Sequence, residues 1–191
     1  MKTVNIYTDG ACSGNQNDNN IGGWGCVLEF GEHRKELHGG EVDTTNNRME
    51  LTALISALEC LKEKNLALDI FSDSSYLVNC FRSKWYVKWQ QNGWKNSAKQ
   101  PVENRLLWER LLSLLEGQSP SFYLVKGHLN LGWTEEKLRP HFHKFKSHNG
   151  DKFTYDRWLE IVEMNIRCDE LANVFVNETN GSRKIESPAE D

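Results

Sequence analysis

Alternating hydrophobic and polar positions open the chain and predict a β-sheet near the N-terminus. Val4, Ile6 and Thr8 alternate with their neighbours in a two-residue period, which predicts a first strand that ends at Asp9. Two more strand-like runs follow, GGWGCVLEF and EHRKELHGG, and a turn at Gly31-Glu32 indicates that they form a hairpin.

The apolar spacing then changes to that of helices alternating with buried strands. Between residues 51 and 61 apolar side chains recur every three or four positions, which predicts one buried helical face. The run LALDIFSDS predicts a strand ending at Asp73, with a short helix from about Ser74. A further helix is predicted for the run VENRLLWERLLSLLEG, and a strand that ends near His128 is predicted for SFYLVKGH. A last long helix is predicted from about Tyr155. This order predicts an α/β fold, a five-stranded mixed sheet with helices on both faces.

Length and composition fit one globular domain. The chain has 191 residues, of which 38% are hydrophobic and 26% charged. It has neither an apolar run of roughly 20 residues, the length that crosses a bilayer, nor the apolar core of a signal peptide. Five scattered cysteines without a CxxC motif indicate reduced thiols, so we expect a cytoplasmic protein, and we expect a monomer. The polar segment 177–191 predicts a disordered tail.

Charge is unevenly distributed along the chain. The formal net charge of −4 argues against a nucleic-acid-binding protein. Between Ser74 and Val102, however, there is no acidic residue, while five basic residues and three tryptophans are present. Because a phosphate backbone is attracted by the charge of the surface it contacts, and not by the net charge of the whole chain, this stretch is a candidate nucleic-acid contact.

Three acidic residues stand at the predicted element boundaries. Asp9 and Asp73 end strands, and Glu50 lies at the start of a helix. Each has an ordinary structural explanation, since Asn47 and Glu50 fit a capping box and Asp73 fits a helix N-cap. If they converged, their like charges would repel unless they shared divalent cations, for which carboxylate oxygens are suitable ligands. The spacing alone leaves both interpretations open.

Five motifs in order, YTDGACSGN, TTNNRMEL, IFSDSSYL, YLVKGH and RCDELA, resemble those of the type 1 ribonuclease H family. The segment KWYVKWQQNGWKNSAKQPVENRLLW is similar to the basic protrusion of that family. The resemblance begins at residue 3 and ends at about residue 176, which predicts a catalytic domain over residues 1–176. It implies a ribonuclease H-like fold.

The resemblance also implies a mechanism. The RNA strand of an RNA–DNA hybrid would be cut endonucleolytically by two-metal-ion hydrolysis, leaving 5′-phosphate and 3′-hydroxyl ends. The cofactor would be two Mg²⁺ ions, or Mn²⁺ in their place. His128 would assist proton transfer or product departure. The implied metal ligands are Asp9, Glu50, Asp73 and Asp169.

Substrate contacts follow from the same resemblance. Small side chains near the metals would contact the RNA 2′-hydroxyls: Asn15, Asn46 and Ser75, the last standing where many family members have glutamine. The DNA strand would meet a phosphate pocket of Thr45 and Asn104 and an aromatic channel of Tyr76, Trp85 and Trp89. For these two tryptophans packing and function are both open, whereas we predict that Trp108 is buried. The protrusion would contribute Lys88, Lys95 and Lys99.

Three departures from the family pattern concern binding. Asp43 stands where a basic residue is common, and Gln90 and Gln91 replace basic residues of the protrusion, so we expect weaker, more salt-sensitive binding. Residues 131–163 form an insertion, in which Thr134 fits a helix N-cap. From residue 137 to residue 152 the insertion has five basic residues and one acid, which predicts a basic lid near the cleft. A zinc site is the alternative, with His141, His143 and His148 as ligands.

Two other functions compete with hybrid cleavage. One is a non-cleaving RNA–DNA hybrid binding module of the same fold, which the intact set of four acids disfavours. The other is a different nuclease of the superfold, such as a junction resolvase or integrase, which the NNRME motif and the tryptophan-rich protrusion disfavour. No separate hybrid-binding domain is expected.

Overall fold

A five-stranded mixed sheet forms the centre of this computed structural model, which describes residues 2–13 and 20–186. The strand order is β3-β2-β1-β4-β5, with β1 antiparallel to β2 and parallel to β4. The predicted α/β fold class and the strand number are therefore confirmed. The strands are β1 (Thr3–Ser13), β2 (Ile21–Phe30), β3 (His33–Val42), β4 (Ala67–Ser72) and β5 (Ser119–Leu124).

Six helices in the described part of the chain cover both faces of the sheet, and each face has its own hydrophobic core. Because strand side chains alternate, Ile6 packs on the face that carries α1 to α4, whereas Tyr7 packs on the face that carries α5 and α6. Within the described residues, none of these helices combines the length and the apolarity that a bilayer crossing requires. The helices are α1 (Asn46–Glu59), α2 (Ser75–Arg82), α3 (Trp85–Gln91), α4 (Arg105–Leu115), α5 (Glu135–Asn149) and α6 (Tyr155–Glu186).

Two strands end at other residues than the sequence predicts. β1 continues through Asp9 to Ser13, because the antiparallel partner β2 pairs with it as far as Ser13. β5 ends at Leu124, well before His128, and the chain then turns across the end of β4. Val125 still donates its N–H to the Ser72 carbonyl at 2.9 Å, and the pairing of β4 with β5 stops there.

The start of α1 differs from the predicted capping box. Thr45 is the N-cap, and its hydroxyl oxygen accepts the Arg48 N–H at 3.3 Å. The prediction of Asn47 as N-cap is wrong, since the chain is already helical at Asn46. Glu50 consequently lies in the second turn and has no capping function.

The last helix is longer than predicted. It reaches Glu186, so residues 177–186 of the predicted tail continue α6, and residues 187–191 lie outside the described ones. Adding residues to an existing helix costs little free energy once its first turns have formed and are packed against the sheet. The polar sequence of this segment, taken alone, does not show that a helix precedes it.

The insertion at 131–163 forms α5 and the first turns of α6. Thr134 is the N-cap residue of α5, as predicted. Leu138, Phe142 and Phe145 are buried in the second core together with Trp158 of α6. The insertion therefore contributes to the hydrophobic core and does more than cover the surface.

Candidate active site

Asp9 and Asp73 are brought together by the parallel pairing of β1 with β4. That pairing ends at the pair Thr8 and Ser72, so the two aspartates are the next residues of adjacent strands. Ser74, the residue after Asp73, caps α2 by accepting the Leu77 N–H at 3.2 Å. The carboxylate of Asp73 is thus not needed as the cap.

Glu50 reaches the same place from α1. A Cβ atom at Gly10 would lie 2.7 Å from the backbone nitrogen of Glu50, so only glycine allows this close approach of α1 to β1. One carboxylate oxygen each from Glu50, Asp9 and Asp73 lies within 4.8 Å of the others. The Asp9 and Glu50 residues are 5% and 2% exposed, and Asp73 is half-buried.

Asp169 lies beside the cluster on α6 and lines the same cavity, but it is not one of the three carboxylates that lie within 4.8 Å of one another. α6 crosses β2 in close contact, since a Cβ at Gly25 would lie 2.4 Å from the Cys168 carbonyl oxygen. Asn173, one turn further along, donates from Nδ2 to Asp169 Oδ1 at 3.1 Å and to the Asp169 carbonyl at 2.8 Å. Asn173 is not among the residues predicted from the sequence, although an amide four residues after a candidate acid on a helix is a signal that could have identified it.

Burial makes the charged state of this cluster unfavourable. It raises the pKa of Asp9 to about 8, and the charges of Asp73 and Asp169 act in the same direction. Burial likewise raises the pKa of Glu50 well above its ordinary value, reinforced by Asp73 and Asp9. The pKa of Asp73 is raised by burial too, while the nearby His128 opposes the shift.

The donor set fits a divalent cation. Buried carboxylates with raised pKa values are stabilised as anions when a cation sits between them, and carboxylate oxygens are preferred ligands of Mg²⁺. Oε2 of Glu50 is buried and has no hydrogen-bond partner among the described residues, which leaves it available as a ligand. The group Asp9, Glu50 and Asp73 is the only set of three or more potential metal-ligating side chains that converges within residues 2–13 and 20–186. The zinc site considered for His141, His143 and His148 is therefore wrong.

The acidic cluster forms the floor of a cavity of about 610 Å³, the catalytic cavity. Its lining includes the four predicted acids, His128 and three predicted substrate contacts, Asn46, Ser75 and Tyr76. His128 is exposed and has a left-handed backbone, with φ of 56°. A Cβ at Gly127 would lie 2.3 Å from Asp73 Oδ2, so the segment leading to His128 lies directly against Asp73.

Other predicted contacts lie outside this lining. Thr45 is exposed at the start of α1, and Asn104 is half-buried before α4, with a left-handed φ of 57°. Asn15 falls outside the described residues. The three predicted protrusion lysines, Lys88, Lys95 and Lys99, are all exposed.

The aromatic residues divide into a buried and a half-buried group. Trp108 is fully buried, as predicted, and its Nε1 donates to the Tyr76 hydroxyl at 3.1 Å. Trp89 packs edge-on against Trp108 with ring centroids 5.4 Å apart, and Trp85 lies 6.5 Å from Tyr76. Because Trp85 and Trp89 are half-buried, they have both packing contacts and exposed surface.

A family model and sequence relatives agree on one family. The model for RNase H matches residues 1–176 of the chain. A ribonuclease H from Clostridium botulinum is 42% identical over 180 residues, covering 94% of this chain and 99% of that protein. A ribonuclease H from Syntrophomonas wolfei is 49% identical over 135 residues, covering 71% of this chain and 90% of its own length.

Solved structures of the same fold are also similar. The crystal structure of LC9-RNase H1, described as a type 1 RNase H with the type 2 active-site motif, matches with a TM-score of 0.61 and 25% identity, covering 86% of this chain and 85% of that one. LC11-RNase H1, solved in complex with an RNA/DNA hybrid, has a TM-score of 0.50 and 19% identity, covering 92% and 98%, and supports the fold alone.

Proposed function

The chain belongs to the ribonuclease H family and is an enzyme of that class, and we propose that it cuts the RNA strand of RNA–DNA hybrids by two-metal-ion hydrolysis, leaving 5′-phosphate and 3′-hydroxyl ends. The observation that carries this proposal is the convergence of three carboxylates, two buried and one half-buried, at the floor of an open cavity. Such a cluster is costly without cations, so its presence favours catalysis over a function in hybrid binding alone.

Asp9 is the central ligand of the proposed metal site. The charges of Asp73 and Asp169 both act on it, and it also lies in the group with Glu50. Asp9, Glu50, Asp73 and Asp169 would hold the two Mg²⁺ ions that the family resemblance implies, with Asp9 at the centre of the set. Bound ions would supply an activated water and stabilise the leaving 3′-oxygen.

The protein groups around the cluster would orient the substrate and move protons. His128, which is exposed at the cavity and adjacent to Asp73, would carry a proton during cleavage or product departure. Asn173 holds Asp169 through its amide and so fixes one carboxylate against α6. The amide of Asn46 and the hydroxyl of Ser75 line the cavity and could donate to or accept from RNA 2′-hydroxyls.

The DNA strand would lie along the tryptophan-rich side of the molecule. Exposed lysines there attract phosphates without reading sequence, and half-buried aromatic rings offer faces to sugars and bases. LC11-RNase H1, which has the same fold, was solved with an RNA/DNA hybrid, and the proposed substrate class agrees with this. The proposed contacts on this strand are Thr45, Asn104, Tyr76, Trp85, Trp89, Lys88, Lys95 and Lys99, and Asn15 would join the RNA contacts.

One set of assays tests the proposal. The protein is incubated with Mg²⁺ and labelled RNA–DNA hybrid, double-stranded RNA or a four-way DNA junction, in parallel with Asp9→Asn. We expect cleavage of the RNA strand of the hybrid alone, and fragments degraded by a 5′-phosphate-dependent exonuclease. Tight hybrid binding without cleavage would identify a binding module instead, and cleavage of the junction would identify a resolvase-like enzyme.

A further inference from the structure

A second cavity, of about 370 Å³, adjoins the catalytic cavity. It opens between α5 and the chain segment 124–128, and we call it the α5 groove. Asp73, Ser75 and His128 line both cavities, so the two form one continuous depression. A strand that occupies the catalytic cavity can therefore extend into the α5 groove.

The α5 groove is basic, in contrast to the acidic cluster beside it. Lys126 and Lys144 face it from opposite walls, and both are exposed. Among the described residues that line the groove, Asp73 is the only acidic one, and it lies at the border with the catalytic cavity. The histidine side chains in this lining are those of His128, His141 and His148.

The wall formed by α5 is fixed in place by hydrogen bonds to the sheet edge. The Asn149 amide pairs with Leu124 of β5 in both directions, because its Oδ1 accepts the Leu124 N–H and its Nδ2 donates to the Leu124 carbonyl, each at 2.9 Å. Arg82 of α2 donates to Asn149 Oδ1 at 2.6 Å and to the His148 carbonyl at 3.1 Å. Together with the buried Phe145, these contacts preform the groove, so that little ordering is needed when a ligand binds.

We propose that the α5 groove binds a backbone phosphate of the RNA strand next to the scissile one, with Lys126 and Lys144 as its cations. This inference rests on the proposed function. Phosphates of the cut strand are the anions nearest to the metal site, and lysine ammonium groups bind them as point charges without sequence preference. A contact here would supply affinity that the glutamines of the protrusion do not.

Lys144 and Lys137 provide a matched pair for the test. Both are exposed on α5 and carry the same charge, but only Lys144 lines the groove. Binding of a fluorescein-labelled RNA–DNA hybrid is measured by anisotropy in the Asp9→Asn background, at several salt concentrations. We expect Lys144→Ala to raise Kd by about 3- to 10-fold and to reduce the log–log salt slope by about one, with less than a twofold effect of Lys137→Ala. Equal effects of the two substitutions would indicate diffuse electrostatics and overturn the proposal.

A second experiment identifies the strand and the phosphate. Single phosphates near the cleavage position are replaced, one at a time, by neutral methylphosphonates in either the DNA strand or the RNA strand. In the RNA strand, the nucleotide on the 5′ side of each methylphosphonate is a 2′-deoxy nucleotide. We expect one RNA-strand position at which the effect of Lys144→Ala on Kd disappears. Disappearance at a DNA-strand position, or at none, would contradict the proposal. Hybrid cleavage by the otherwise unchanged protein is measured alongside, so that failure of the proposed function is recognised separately from failure of the groove.

Discussion

Asp9 and Asp73 occupy equivalent positions, each one residue beyond the Thr8–Ser72 pair at which the parallel pairing of β1 with β4 ends. Their side chains leave the sheet where β1 continues with β2 alone and β4 ends. This register explains why two carboxylates lie beside each other, and the close approach of α1 at Gly10 explains how Glu50 adds a third.

Substituting Asp9 should abolish catalysis without unfolding the protein. Asp9→Asn keeps the shape of the side chain but removes the charge that two proposed metal sites share, so we expect kcat to fall by about 1,000-fold or more. Cleavage of a labelled hybrid in Mg²⁺ measures it. Asp156→Asn, an exposed acid in the first turn of α6, is the matched control and should retain full activity. Substantial Mg²⁺-dependent cleavage by purified Asp9→Asn would refute the assignment.

The metal-free protein should lose stability as the pH rises. The folded-state pKa of Asp9, about 8, exceeds its ordinary value of 3.8, and the pKa values of Glu50 and Asp73 are raised as well. The native state therefore binds more protons than the unfolded state between about pH 4 and pH 8, so the free energy of unfolding falls across this window.

Calorimetry in EDTA and in Mg²⁺ measures this effect. Because a bound cation favours the ionised carboxylates, the rise in Tm on adding Mg²⁺ should be larger at pH 8 than at pH 6. Glu50→Gln should stabilise the metal-free protein at pH 8 by about 1–2 kcal/mol, since it removes one of the like charges. A Tm in EDTA that does not decline between pH 5 and pH 8 would show that the pKa values of these carboxylates are not raised in the folded protein.

Sequence patterns predicted the elements better than the contacts between them. The strand period and the helix spacing depend on neighbouring residues, so the five strands and the helix beginning near Asn46 follow from local chemistry. The continuation of β1 beyond Asp9 depends on its partner β2, and the fixation of α5 depends on Asn149 meeting Leu124, 25 residues away. Neither of these two contacts can be recognised from the sequence before the fold is known.

The candidate site shows the same division. Glu50 and Asp73 each had a local explanation as capping residues, and only the resemblance to a family joined them with Asp9 and Asp169. The structure removes the local explanations, because Thr45 and Ser74 are the caps. Asn173 was missed although it follows the candidate acid Asp169 by four residues, because this spacing alone does not show that the two side chains are hydrogen-bonded.

The protrusion lysines should contribute affinity and little to chemistry. Replacing Lys88, Lys95 and Lys99 by alanine should raise KM and reduce its log–log salt dependence by roughly one unit for each phosphate that the protein no longer binds. Single-turnover cleavage at saturating enzyme should change by less than about threefold, because these lysines lie outside the catalytic cavity. The control replaces Lys2, Lys35 and Lys62, which line a pocket away from both cavities. An unchanged KM at moderate salt would show that the protrusion does not meet the substrate.

Gly10 should be needed for activity through the position of Glu50. In Gly10→Ala the new Cβ would lie 2.7 Å from the Glu50 backbone nitrogen and 3.0 Å from the Met49 carbonyl carbon, and neither can yield without moving α1. We expect a loss of about 1–3 kcal/mol in the free energy of unfolding, and a decrease in kcat of about 100-fold, because Glu50 would shift relative to Asp9 and Asp73. KM should rise as well, because the proposed hybrid contacts Thr45 and Asn46 lie at the start of the same helix. Gly181→Ala is the control, as a Cβ there has no atom within 4 Å. If Gly10→Ala kept its kcat while losing stability, the close approach of α1 to β1 would serve packing alone.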